Sequence, residues 1–272
     1  MTGAFVRVIF PLTVLVFLGG CATVKNSNFV SPSAAARAQL APSGTLRAAI
    51  NFGNPILAAR EMATGEVRGV SIDLARELAK RLGTPVEFVL YTAAGKVVEG
   101  IKFNAWDIAF FAIDPVRATD IDFSAAYLMI EGAYLVPNDS AIRRNEEVDQ
   151  DGVRVVAGRG SAYDLYLSRD LKKAKLIHAP TSQAVTDTMV AGKFDVAAGV
   201  KQQLQADAKR LPGLRILDGR FMAINQAMAV PKGRPVGAEY LAQFVEEMKV
   251  SGFVADALKR HGIEGAVVAP PR

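Results

Sequence analysis

The chain has 272 residues and a formal charge of +5; half of its residues are hydrophobic and 22% are charged. That length supplies core for one large domain or two smaller ones. A mild positive charge with no Lys/Arg tract and no aromatic–basic interleaving gives no case for nucleic acid, and a single cysteine excludes an intramolecular disulfide and a multi-cysteine metal site.

Arg7 is the only charge in residues 1–20, and Val8 to Leu18 is an apolar run ahead of Leu18-Gly19-Gly20-Cys21. A basic start, a short apolar run and small residues mark a secretory signal, too short to span a membrane. Leu-Gly-Gly-Cys resembles the bacterial lipobox, in which the cysteine becomes the lipid-modified first residue of the mature chain. A buried free cysteine after an ordinary cleavage site is the alternative. Loss of residues 1–20 lowers the formal charge by one. Residues 21–43, rich in Ala, Ser, Asn and Pro with no apolar period, are expected to be a flexible tether.

Thr45 to Asn51 reads as the first strand, broken at Phe52-Gly53-Asn54-Pro55. Thr64-Gly65-Glu66 suits the turn of a hairpin. Ser71 is expected to cap a helix in which Leu74, Leu78 and Leu82 repeat every fourth residue, with Gly83 as its stop. Val86 to Tyr91 is a second strand and Lys96 to Phe103 a short helix. Trp106-Asp107 opens the apolar run Ile108 to Ile113, a buried strand. Asp114-Pro115 then starts a helical turn. Arg117 falls one turn in, just past the strand's carboxyl end, where ligands bind in open α/β sheets. A guanidinium there suits a carboxylate, because its planar fork bonds both oxygens at once; a solvated surface arginine is the alternative. The chain runs on through Ile121 to Tyr127 and Met129 to Val136.

Residues 138–152 are polar and charged and read as a loop or solvated face. Val153 to Ala157 is a strand closed by Gly158-Arg159-Gly160. Ser161 with Asp164 fits a capping box opening a helix to about Leu171. Lys175 to His178 is a strand, Thr181 is expected to cap a helix reaching Ala191, and Asp195 to Ala198 is the next strand. Lys201 to Arg210 is a helix and Leu214 to Leu217 a strand. Phe221 to Val230 is a long extended run. Pro235 begins a helix with Tyr240, Leu241, Phe244 and Met248 on one face; Gly252 to His261 is the last. Residues 266–272 are expected to be a loose tail. Strands alternating with helices imply a mostly parallel sheet. Phe103-Asn104-Ala105-Trp106-Asp107 and Gly192-Lys193-Phe194-Asp195 echo each other, which suggests two similar lobes.

Trp106-Asp107, Asp114-Pro115-Val116-Arg117, Ile121-Asp122-Phe123-Ser124 and Tyr127 together resemble the core segment of the bacterial extracellular solute-binding proteins of the amino-acid type, family 3. The resemblance extends from about Gly44 to Gly262. It implies the type II periplasmic-binding architecture: lobe 1 from 44–136 plus 225–265 and lobe 2 from 137–224, joined by two hinge crossings, with ligand held between lobes that close. With the lipobox it leads to the expectation of a lipid-anchored monomer at the periplasm or cell surface, capturing a small carboxylate-bearing solute, amino-acid-like or an organic acid, for an ABC permease without a cofactor or metal, with Lys201 among the ligand contacts. The expected ligand contacts are Arg117, Ala112 and Phe110 with Asn54 on one side, and Gly160 and Ser161 on the other. In the family an acid near the end of the second-lobe strand commonly pairs with a ligand ammonium. Here Val200 falls at that place and Lys201 follows, so a carboxylate without an ammonium is expected. Glu131, an isolated acid in an apolar run, could face the cleft and take the acid's place.

No enzyme motif is complete. Gly158-Arg159-Gly160 meets Tyr163 where G-x-G-x-x-G needs glycine, Gly95-Lys96 lacks the rest of a P-loop, and Gly69-Val70-Ser71 is followed by Ile72-Asp73 rather than a nucleophile elbow. His178 and His261 lack metal-ligand spacing and read as structural or surface residues. Asp107 and Asp195 read as backbone caps rather than catalytic acids. The reading is therefore not an enzyme. The alternatives are a cyclohexadienyl-dehydratase-like enzyme on the same fold, or a ligand-sensing or interaction lipoprotein.

Overall fold

A computed structural model describes residues 30–61 and 63–272. The signal segment, Cys21 and the first part of the expected tether, through residue 29, lie outside the described residues. The tether expectation is corrected for the rest, because α1 (Ala34–Leu40) is a docked helix. The Ser33 hydroxyl caps it by accepting the Ala36 N–H at 3.1 Å, and Leu40 is buried. The Gln39 side chain accepts the Gly237 N–H at 2.8 Å, and its carbonyl accepts from Arg234 at 3.0 Å. Two turns of helix are too short to display a period, so its apolar face was invisible in sequence.

The first half then runs β1 (Leu46–Asn51), the small hairpin β2 (Ala59–Arg60) and β3 (Val67–Arg68), α2 (Val70–Leu82), β4 (Val86–Tyr91), α3 (Ala94–Glu99) and β5 (Ile108–Ala112). Helix α2 buries Leu74, Leu78 and Leu82, as their spacing requires, and Gly83 ends it at φ 66°. Its start corrects the expected cap. Gly69 is the N-cap at φ 131°, and a Cβ there would lie 2.4 Å from the Leu57 carbonyl oxygen. Ser71 is instead a buried residue inside the first turn.

One strand, β6 (Ile121–Pro137), carries the chain into the second half. There follow β7 (Arg154–Gly158), α4 (Ala162–Asp170), β8 (Lys175–Ala179), α5 (Val185–Ala191), β9 (Val196–Val200), α6 (Lys201–Arg210) and β10 (Leu214–Ile216). Helix α5 begins four residues after Thr181, whose hydroxyl accepts the Ala184 N–H at 3.3 Å and makes a separate turn first. The return is β11 (Met222–Pro231), followed by α7 (Pro235–Val250), α8 (Phe253–Arg260) and β12 (Ala266–Val268).

The main sheet has the order β4-β1-β5-β11-β6-β9-β7-β8. β1 is parallel to β4 and β5, and β7 is parallel to β8 and β9. These two parallel blocks are joined by antiparallel pairing: β11 with β5 and β6, and β6 with β9. A 17-residue strand can serve both blocks, its start beside β11 and its end beside β9. The expected loose tail is also corrected: β12 pairs with β6, and the Ala269 N–H donates to the Tyr127 carbonyl at 3.0 Å. A strand rim offers open N–H and C=O groups, and even a short Val-Val segment satisfies them.

The aromatic–Asp echo is matched atom by atom. Asp107, fully buried, accepts the Arg47 backbone N–H at 3.1 Å and its Nε at 3.0 Å; Asp195 accepts the Arg154 N–H and Nε, both at 2.8 Å. Just upstream, Asn104 (φ 47°) and Lys193 (φ 48°) are left-handed, and their carbonyls accept from the same arginines at 2.6 Å. Both aspartates thus tie the start of one strand to the start of its neighbour. Trp106 is buried beside Asp107, its indole N–H donating to the Val97 carbonyl at 2.8 Å.

Candidate functional site

The carboxyl ends of β1 and β5 face the start of α4 across a cavity of about 40 Å³. Arg117 forms its floor. The Asp114 side chain accepts the Val116 N–H at 2.8 Å, which makes the turn that carries Arg117 back under the strand end. The guanidinium is 3% exposed and lies 5.2 Å from the centroid of the Phe111 ring. Nη1 donates to the Ala112 carbonyl at 3.0 Å and Nη2 to the Gly160 carbonyl at 2.9 Å. Two of its five N–H donors are engaged, and Nε has no partner. Burial pulls the group down to about 10, against the opposing charge of Asp114, so it is a cation at neutral pH. Asp114 itself is paired with Arg169 of α4 at 2.8 Å.

The opposite wall is the start of α4. The Ser161 hydroxyl accepts the Asp164 N–H at 3.1 Å, one half of the expected capping box; the Ser161 N–H goes to the Gly158 carbonyl instead, so the reciprocal bond is not made. The Asp164 carboxylate then accepts the Gly160 N–H at 2.7 Å and meets His178 Nε2 at 2.8 Å. Gly160 has φ 68°, and a Cβ there would lie 2.8 Å from Cα of Gly95 on α3. The two halves therefore touch backbone to backbone. Gln183 adds a bond from Nε2 to the Phe52 carbonyl at 2.7 Å. Ligand pockets commonly hold about 300–1,000 Å³; at about 40 Å³ this cavity is far smaller.

Of the residues expected from sequence, Asn54, Phe110, Ala112, Arg117 and Ser161 line this one cavity. Gly160 reaches it through its carbonyl on Arg117. Glu131 and Lys201 are not brought to it. They line a separate groove of about 640 Å³, paired with each other at 2.8 Å, with Arg220 3.4 Å from the same carboxylate. Lys201 holds the Glu131 carboxyl below its ordinary range. The reason is strand alternation: a Cβ on Gly132 would lie 2.7 Å from the Tyr163 ring, which lines the cavity, so the preceding residue points to the other face.

Sequence reasoning missed Tyr163, Gln226, Asn51 and Ser182 in the lining. Gln226 carried a signal, as a polar residue inside an apolar strand. Tyr163 carried none beyond its place in the capping box. Among the described residues the lining holds one cation and no carboxylate, and no group of three His, Cys, Asp or Glu side chains could hold a metal ion.

A model of the family described as bacterial extracellular solute-binding proteins, family 3, matches residues 46–263. The chain is 25% identical over 182 residues to a glutamine-binding protein of Geobacillus stearothermophilus, covering 65% of this chain and 69% of the relative. It is 26% identical over 137 residues to a cyclohexadienyl dehydratase of Pseudomonas aeruginosa, covering 48% of this chain and half of that enzyme. The solved solute receptor for L-cysteine of Neisseria gonorrhoeae superposes with a TM-score of 0.72 at 23% identity, over 86% of this chain and 95% of the receptor; that likeness is one of fold.

Proposed function

Because this chain belongs to the bacterial extracellular solute-binding proteins, family 3, with their two-lobe type II periplasmic-binding fold, we propose that it captures a small carboxylate for an ABC importer. One observation carries the ligand reading. Among the described residues, Arg117 is a buried cation whose guanidinium hydrogen-bonds only backbone carbonyls, in a lining with no acid. A carboxylate would bond the unused Nε edge and add a negative charge to that of Asp114, which Arg169 already shares. An ammonium would find no anion there, at a cost of several kcal/mol. The dehydratase relative raises the enzyme reading, which calls for a carboxylic acid in the cleft; the described lining offers none, and this favours capture over chemistry.

Calorimetric titration tests the ligand class. Simple carboxylates are expected to bind at least about tenfold more tightly than any of the standard amino acids. Micromolar binding of a standard amino acid would overturn the preference.

The lipid anchor on Cys21 is part of the same proposal. It is supported by the Leu-Gly-Gly-Cys motif at the end of the apolar run Val8 to Leu18. Cells fed a clickable fatty acid should label the native protein and leave Cys21→Ser unlabelled. Label retained on Cys21→Ser would refute the anchor.

A further inference from the structure

We infer that the cleft is built for a hydroxycarboxylate, with Tyr163 and Gln226 receiving the hydroxyl while Arg117 takes the carboxylate. The inference rests on the carboxylate reading above and adds a substrate class to it.

Tyr163 stands on the first turn of α4, 3% exposed, and lines the cavity. Its ring lies against Gly132 and meets Phe221 edge-on, with centroids 5.8 Å apart. A phenylalanine would make the same packing. The hydroxyl adds nothing to that packing and has no hydrogen-bond partner among the described residues, although it is buried. A buried hydroxyl ordinarily finds a partner, and here the cavity is the place where one can come from.

Gln226, also 3% exposed, stands on β11 opposite Ala112, the residue whose carbonyl Arg117 holds. Its amide faces the buried Tyr127 hydroxyl, and an amide that bonds one neighbour keeps further donor and acceptor capacity for a ligand beside the carboxylate position. The other polar groups of the lining favour the same ligand chemistry. The Asn51 side-chain oxygen accepts the Gly53 N–H at 2.8 Å and the Asn54 oxygen accepts the Ile56 N–H at 3.1 Å. Those bonds fix each amide's orientation and leave its NH₂ as the unengaged end. The lining is therefore rich in donors: Arg117, Asn51 and Asn54, with Tyr163 able to give or accept. A ligand ammonium brings only more donors. A carboxylate with a neighbouring hydroxyl brings oxygens, and its single O–H can be given to Tyr163 or Gln226.

The test uses matched acids that differ by one hydroxyl, lactate against propionate and malate against succinate, titrated into the native protein and into Tyr163→Phe. The native protein should prefer the hydroxy acid of at least one pair by about tenfold or more, since a polar pocket discriminates strongly against a ligand lacking the matching group. Tyr163→Phe should bring that ratio toward one, with thermal unfolding confirming an intact fold. Gln226→Leu, measured the same way, should also reduce the ratio. Equal binding of hydroxy and deoxy acids by the native protein would overturn this inference and leave the carboxylate reading standing. A preference untouched by both substitutions would overturn the roles given to Tyr163 and Gln226. No binding of any of the four acids up to millimolar concentration would overturn the carboxylate reading as well.

Discussion

Arg117→Ala is expected to lower carboxylate affinity by about 10²- to 10⁴-fold. Two charge-assisted hydrogen bonds at roughly 1.5–3 kcal/mol each account for that range. The fold should survive, for a physical reason. Burial depresses this guanidinium to about 10, so the folded state carries a charge it disfavours relative to the unfolded chain. The sign follows from linkage: between about pH 10 and the ordinary arginine value the unfolded chain holds more protons, so that penalty falls as pH rises and is present in full at neutral pH. Alanine removes the penalty while freeing the Ala112 and Gly160 carbonyls to water. Calorimetry on the substituted protein, with circular dichroism for its fold, checks both parts. Unchanged affinity in a folded Arg117→Ala protein would rule out the carboxylate clamp.

Asp107→Ala should destabilise the fold by about 3–5 kcal/mol, more than Arg117→Ala or Tyr163→Phe. The carboxylate is fully buried and answers two cations, with Arg47 Nη2 at 2.9 Å and Arg234 Nη1 at 3.1 Å. Its loss frees the start of β1 from β5 and the start of α7 from both. At about 2–4 °C per kcal/mol for a protein of this size, the melting midpoint should fall by roughly 6–20 °C. Asp195→Ala is the control within the same molecule. Its carboxylate is 36% exposed and Arg154 is 39% exposed, so solvent screens the pair and the expected cost is about 1 kcal/mol or less. Equal shifts in the two variants would show that burial does not set the difference.

The aromatic–Asp echo shows where sequence stops. Trp106-Asp107 and Phe194-Asp195 were legible as a pair, and reading them as caps rather than catalytic acids agrees with the bonds to the Arg47 and Arg154 backbone. The arginines themselves lie 60 and 41 residues away, and nothing local to the aspartates names them. Asp107 has a second cation, Arg234 at the start of α7, which the Gln39 carbonyl of α1 holds in place, and Asp195 has no such partner among the described residues. That hold depends on a helix which the Ala-rich stretch before Leu40 was too short to announce.

By itself the sequence determined the alternation of strands and helices, the span Lys201–Arg210 of α6, the stop at Gly83, the family, and Arg117 at the end of β5. Each of these is written in consecutive residues, as a period, a cap, a breaker or a motif, and local backbone physics reads them in order. Tertiary structure alone decided that β12 and α1 dock, that Glu131 pairs with Lys201 in a separate groove, and that Tyr163 and Gln226 join Arg117 around one cavity. Those outcomes turn on which face of β6 a residue occupies and what the other half of the chain brings to it. A single step along a strand reverses that face, and the partner that gives the face its meaning lies far away in sequence.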